Sequence, residues 1–237
     1  MKKVSIIFFL LILLLTGCDK VDNGFFRSYI NTYYNYNDLS FSITDSGNIQ
    51  ISGADFQKHY SWKSKGRDKE IYDSLCVIHD DMTYNRMRDF IDAPEWGHCT
   101  MFDIKSINVF SNSDFDALHP AGTSLNDIIR FISVSPKKFI DSGYTLYYDW
   151  LNNTPSSFKR ESEMENFKNN PECSTYFPID KKLSEIDEKE MALLFPDHLG
   201  YLVFESQPTG AKSHTLMISM ILSNGKTITH LITKEFN

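Results

Sequence analysis

The sequence predicts a mainly β chain: a β-sandwich-like single domain with a few short helices and a C-terminal β-hairpin, with α+β as the alternative class. Three observations carry this. Leu39, Phe41 and Ile43 alternate with Ser40, Ser42 and Thr44, which is strand period. Asn224-Gly225 separates the β-rich runs 215–222 and 227–236, the strongest short-range hairpin signal. Helical patterns are short and halted by prolines such as Pro94 and Pro196.

Taken in order, the chain opens with Lys2 and Lys3, then an apolar run from Val4 to Leu15 broken only by Ser5. That run is shorter than the roughly 20 residues needed to span a bilayer and fits a secretory signal. Leu15-Thr16-Gly17-Cys18 closes it with the pattern of a bacterial lipobox. The expectation is a signal peptide over residues 1–17 and lipid attachment at the Cys18 thiol, with the small Gly17 giving a peptidase access to the bond before it. Two or three acyl chains hold a protein where one binds only marginally. Residues 18–24 make the lipidated cysteine and a short tether, and residues 25–237 a single extracytoplasmic domain.

Removing residues 1–17 takes Lys2 and Lys3 with it and moves the formal net charge from −7 to −9. An acidic domain is a poor candidate for nucleic acid or anionic lipid surfaces. Lys63, Lys65, Arg67 and Lys69, interleaved with Ser, Gly and Asp, read as a solvated loop. With Cys18 assigned to lipid, Cys76, Cys99 and Cys173 remain. An oxidising compartment permits a disulfide, and Cys76 with Cys99 is the preferred pair; the odd count equally permits three buried free thiols.

Beyond the Asp45–Asn48 turn, Ile49–Ile51 reads as a return strand. Residues 71–78 also read as a strand, while Tyr84, Met87 and Ile91 recur at helical spacing after Asp80 and Asp81, either of which suits an N-cap. Residues 104–110 are strand-like. His119-Pro120-Ala121-Gly122 supplies a turn, and Ser124 with Asp127 resembles a capping box; residues 128–134 are ambiguous between helix and strand. Residues 144–150 look strand-like, and 152–182, rich in Pro, Asn, Ser and Lys, look like a long polar surface excursion. Ser184 and Asp187 signal a helix ending before Pro196, and 199–204 a further strand. A two-residue loop at Asn224-Gly225 would set Ile221 opposite Ile228, Met217 opposite Ile232, Ile218 opposite Leu231 and Ser219 opposite His230. Both faces of the hairpin would then be apolar, as in strands covered on both sides.

The motifs of common enzymes are missing: there is no G-x-S-x-G, no G-x-x-x-x-G-K, no H-E-x-x-H and no C-x-x-C. Asp114, Asp116 and His119 could form a metal loop, but a turn whose Asp side chains bond the local backbone is the simpler reading. Glu95, His98 and Cys99 lack the fourth ligand that a closed zinc site needs. His79, Asp80 and Asp81 read as closing one element and capping the next. Trp62, Trp96 and Trp150 lie in or beside loops and are candidate contacts for a sugar or a protein surface, against the plainer role of core residues. No metal, cofactor or catalytic residue is expected.

The run Phe115-Asp116-Ala117-Leu118-His119-Pro120-Ala121-Gly122-Thr123-Ser124-Leu125-Asn126-Asp127-Ile128 resembles a group of Bacteroidetes cell-envelope lipoproteins of unknown function. The Leu-Thr-Gly-Cys start, the Asn/Tyr/Asp-rich composition and the terminal Ser223-Asn224-Gly225-Lys226 hairpin fit that group; residues 95–99 and 152–182 find no counterpart. The resemblance implies an envelope lipoprotein, β-sandwich-like, with no catalytic residues to carry over. The expected protein is therefore anchored to the outer membrane through lipidated Cys18, facing either leaflet. It would be a non-catalytic binding module for a protein partner or glycan. A structural or assembly subunit of a surface complex or fimbria is the alternative, and an envelope hydrolase a third.

Overall fold

A computed structural model of the chain describes residues 23–89, 97–161, 164, 167 and 171–236. The chain is mainly β, with eleven strands among these residues: β1 (Asn23–Phe26), β2 (Thr32–Ile43), β3 (Ile49–Ser61), β4 (Arg86–Asp89), β5 (His98–Thr100), β6 (Ile104–Ser111), β7 (Ile129–Ser135), β8 (Phe177–Lys182), β9 (Gly200–Phe204), β10 (Ser213–Leu222) and β11 (Thr227–Glu235). Three short helices accompany them: α1 (Arg67–Ile78), α2 (Lys137–Asp141) and α3 (Trp150–Asn153). Six strands form a central sheet in the order β5-β2-β3-β9-β7-β8, three form a second sheet β11-β10-β6, and β1 pairs with β4 in a ribbon.

The two larger sheets face each other as a sandwich. Alternation supplies the core between them: Ile49, Ile51, Ile129, Phe131 and Leu202 from the central sheet meet Ile107, Val109, Leu216, Ile218 and Met220 from the smaller one. The opposite face of the central sheet is also apolar. Tyr33, Ile132, Val134 and Tyr201 point there and are covered by Tyr72 and Cys76 of α1, Phe139 of α2, Trp150 of α3, and Phe158, Phe167 and Tyr176. The consecutive apolar residues Phe131 and Ile132 reflect this two-sided burial.

Several local expectations are corrected. Residues 71–78 are helical, because Tyr72, Leu75 and Cys76 place one buried stripe on the second core. The helical pattern over 84–91 falls partly outside the described residues, and its first part is strand β4. Asp81 caps no helix; its carboxylate accepts the backbone N–H groups of Tyr29 (2.7 Å) and Ile30 (2.8 Å). Ser124 starts no helix but bridges to Phe110, and 129–135 are strand β7. Residues 144–149 are irregular up to α3. Asp187 does cap, with Glu190 completing the capping box, but the product is a single 3-10 turn, Glu188–Met191. The 152–182 stretch is no surface excursion, since Phe158, Cys173 and Tyr176 are fully buried and Phe177–Lys182 is an edge strand of the central sheet.

The terminal hairpin exists, with its register moved by one residue: Ile221 faces Thr227, Met217 faces Leu231 and Ile218 faces His230. Gly225 has φ 82 and Asn224 is not in the left-handed region, whereas a two-residue type I′ loop needs both residues there. The chain instead uses the three-residue loop Ser223–Gly225, closed by Leu222 N–H to Lys226 O (2.9 Å) and Gly225 N–H to Leu222 O (2.9 Å). Leu216, Ile218 and Met220 are consequently buried, and Met217, Ile221 and Leu231 face outward.

Candidate functional site

The layer over the outer face of the central sheet stops short of one end, leaving a groove of about 420 Å3. Its floor follows from strand register. Arg130 on β7 lies directly across from Val203 on β9, and Ile132 directly across from Asp180 on β8, so all four share that face. Glu205 extends the floor, Ser156, Ser157 and Arg160 form one wall, and Asn48 of the β2–β3 turn closes the rim.

The walls are fixed from below. Phe158, buried against Trp150 (ring centroids 5.4 Å apart), anchors the 3-10 turn Phe158–Arg160. Glu161 is buried and accepts the Ser46 hydroxyl (2.6 Å) and the Asn48 amide, which ties this wall to the β2–β3 turn.

Inside the groove, Arg130 donates through Nε to Asp180 Oδ1 (2.8 Å), through Nη2 to the Asp180 carbonyl (2.8 Å) and through Nη1 to Glu205 Oε1 (3.3 Å). The Ser157 hydroxyl donates to Asp180 Oδ2 (2.5 Å), and Lys182 Nζ lies 3.2 Å from Glu205. Partial burial pulls the Glu205 carboxyl up, but Lys182 and Arg130 outweigh it and hold the group below the usual carboxylate range. Arg160 is exposed and makes no side-chain hydrogen bond or ion pair among the described residues. The result is a preorganised polar surface with donors and acceptors alternating over an apolar floor of Ile132 and Val203. A ligand rich in hydroxyls matches it, since each hydroxyl both donates and accepts.

The residues singled out from sequence lie elsewhere. Trp150 is buried, its Nε1 donating to the carbonyls of Cys173 (3.0 Å) and Tyr176 (3.1 Å). It is a core residue and not a contact surface. Trp62 is half-buried, edge-on to Phe26 at 4.7 Å, with Lys63 Nζ 5.0 Å from its ring. Trp96, Glu95 and Cys18 lie outside the described residues. Cys76 and Cys99 are not bonded to each other: both thiols are free, and they and Cys173 are buried among apolar side chains. Burial pushes the Cys76 thiol up to about 11 and holds the Cys99 thiol well above its ordinary value.

The Asp114–His119 stretch is a self-bonded turn. Asp114 accepts from Ala121 N–H (2.8 Å), and Asp116 from Leu118 N–H (2.8 Å) and His119 N–H (2.9 Å). The His119 ring bridges Asp116 (2.7 Å) and Asp127 (3.0 Å). Burial disfavours its charged form, but the two carboxylates prevail and raise its pKa. Among the described residues no group of three His, Cys, Asp or Glu side chains is placed to hold a metal ion.

Sequence reasoning missed the groove because its parts come from five separate segments. One signal was present: Arg130 interrupts the apolar run Ile128–Val134, and a charge in a strand buried on both faces must have partners. No family model, curated protein or solved structure matches the chain.

Proposed function

We propose that the protein is a lipid-anchored cell-envelope module, held at the outer membrane through Cys18, that binds a short glycan segment in the polar groove without catalysing a reaction. The groove carries this reading: two guanidiniums, two carboxylates and two serine hydroxyls line about 420 Å3 over an apolar floor. The same geometry favours binding over hydrolysis. A glycosidase needs one carboxyl held protonated as general acid, whereas Glu205 is held ionised by Lys182 and Arg130, and Asp180 is bound to Arg130 and Ser157.

The test is binding of the purified protein to an immobilised oligosaccharide array, compared with Arg160→Glu. Arg160 is exposed, so the variant folds normally; a retained pattern on the array, or no binding by the wild type, would overturn the reading. Cys18→Ser should abolish labelling by radioactive fatty acid and release the protein from membranes, and persistence of both would remove the anchor.

An assembly role has one observation in its favour. The outer edge of β11 pairs with no strand among the described residues, and Phe110, Met217 and Leu231 form an apolar row across that sheet. Against it, Lys234 on β11 turns inward to the Gly47 carbonyl, and an inward charge of this kind blunts an edge. Leu231→Glu would dissociate an assembly built on this edge, and would leave glycan binding intact.

A further inference from the structure

We propose that the end of the molecule around β1, β4 and the 62–66 loop is its membrane-facing surface, and that it docks on the anionic headgroups of the bilayer that holds Cys18. The inference rests on the anchor reading above and adds an orientation to it. Two observations carry it, the position where the described chain begins and the charge gathered there.

Four residues separate Cys18 from Asn23, the first residue of β1, so over five residue steps the domain hangs within about 18 Å of its lipid even if that segment is fully extended. Whatever surrounds β1 must therefore lie close to the headgroups. β4 runs beside β1 with Arg86 opposite Phe26 and Arg88 opposite Gly24. Phe26 packs edge-on against Trp62, which brings in the loop carrying Lys63 and Lys65 and the start of α1 at Arg67. Arg27, Lys63, Lys65 and Arg67 are all exposed.

The described acidic groups of this end are Asp68, bound by Lys58 at 2.7 Å, Glu70 on α1, and Asp81, buried beneath Tyr29 and Ile30. Lys69 and Asp73 neutralise each other. Among the described side chains, five cations (Arg27, Lys58, Lys63, Lys65 and Arg67) thus stand against Asp68, Glu70 and the buried Asp81, on a chain whose residues 18–237 sum to −9. The described, exposed charge of this end is positive, whereas the chain as a whole is negative. Surface cations draw a tethered domain down onto anionic lipid within a Debye length, and the negative remainder is repelled from the same surface. Half-buried Trp62, with Lys63 over its ring, suits the headgroup zone where amphipathic rings collect. The groove, built on β7, β8 and β9, has no part in this end.

The test does not depend on lipidation in the cell. Cys76, Cys99 and Cys173 are at most 1% exposed, and the described core uses no residue before Phe26. The chain from Cys18 to Asn237 therefore couples through Cys18 to maleimide-lipid vesicles. Hydrogen exchange is then compared on phosphatidylcholine vesicles and on vesicles containing phosphatidylglycerol. Exchange of residues 62–66 should slow about tenfold on the anionic vesicles, return to the neutral-vesicle rate at high salt, and show no slowing in Arg27→Glu/Lys63→Glu/Lys65→Glu/Arg67→Glu. The exchange pattern of β7 and β9 reports that the variant is folded. Equal rates on the two vesicle types, or slowing confined to another face, would overturn the proposal, whereas failed fatty-acid labelling of Cys18 in cells would overturn only the anchor reading.

Discussion

Asp81 is the buried charge on which the N-terminal end depends. It is 0% exposed, and its carboxylate accepts Tyr29 N–H, Ile30 N–H and the Tyr144 hydroxyl at 2.7, 2.8 and 2.9 Å. In Asp81→Ala the two backbone donors lose their acceptor inside the second core, at about 1–3 kcal/mol each, while the half-buried Tyr144 hydroxyl can turn to water. Part of that loss is returned, because burial raises the Asp81 pKa and a costly ionised group disappears with it. A net destabilisation of about 3 kcal/mol remains. With a urea m-value of about 2–3 kcal/mol/M for a chain of this size, the midpoint should fall by about 1–1.5 M. Asp81→Asn should cost less, about 1–2 kcal/mol, since one carbonyl oxygen keeps the Oδ1 contacts and only Ile30 N–H faces the wrong group. A fall smaller than about 0.3 M for the alanine variant would show that the two donors find other partners and that the argument fails.

Two further outcomes follow from buried positions. A Cβ on Gly200 would lie 2.5 Å from Phe131 Cε2 and 2.8 Å from the Ile132 carbonyl oxygen, which is backbone and cannot move aside. Gly200→Ala should cost about 2–4 kcal/mol in thermal unfolding, and Gly66→Ala, with open space but φ 57, about 1 kcal/mol; equal shifts would refute the clash. His79 is buried, which lowers its pKa against Asp103 at 3.9 Å, Asp141 and Asp80, with Lys137 adding to the lowering. The unfolded chain then binds the proton more readily than the folded one, so stability should fall as pH drops below about 6.5. His79→Gln should flatten that slope between pH 7 and 5, and an unchanged slope would assign it to other groups.

Much of the architecture was legible because it rests on local periodicity and turn chemistry. The β2–β3 hairpin, β6, β9 and the terminal hairpin each show alternation beside a Gly or Asn turn. The reading broke where burial on two faces erased the alternation. Residues 71–78 look β-like in isolation, yet they cover the sheet as a helix because the aromatic surface formed by Tyr33, Trp150 and Tyr176 needs a lid. The same surface absorbed Trp150 and Cys173, residues whose polar neighbours in sequence suggested a loop. The groove was unreadable for a related reason. Arg130 and Asp180 are fifty residues apart, and only the β7–β8 register brings them together.

The terminal hairpin shows how one torsion can decide a surface. Asn-Gly fits a two-residue loop, and on that pairing Met217 and Leu231 lie on opposite faces. Placing only Gly225 at positive φ makes the loop three residues long and shifts every partner by one. Met217 then stands beside Leu231 and Phe110 on the solvent side, while Leu216, Ile218 and Met220 close the sandwich core. Because β6 fixes the facing of β10, the alternative would turn β11 over and bring Thr229, Leu231 and Thr233 toward the core in place of Ile228, His230, Ile232 and Lys234, exchanging two apolar side chains for one. The core therefore selects the longer loop, and the apolar row left outside is a consequence of that selection. Its presence is explained by folding alone, which is why the polar groove, whose paired charges serve no comparable packing need, carries the functional reading.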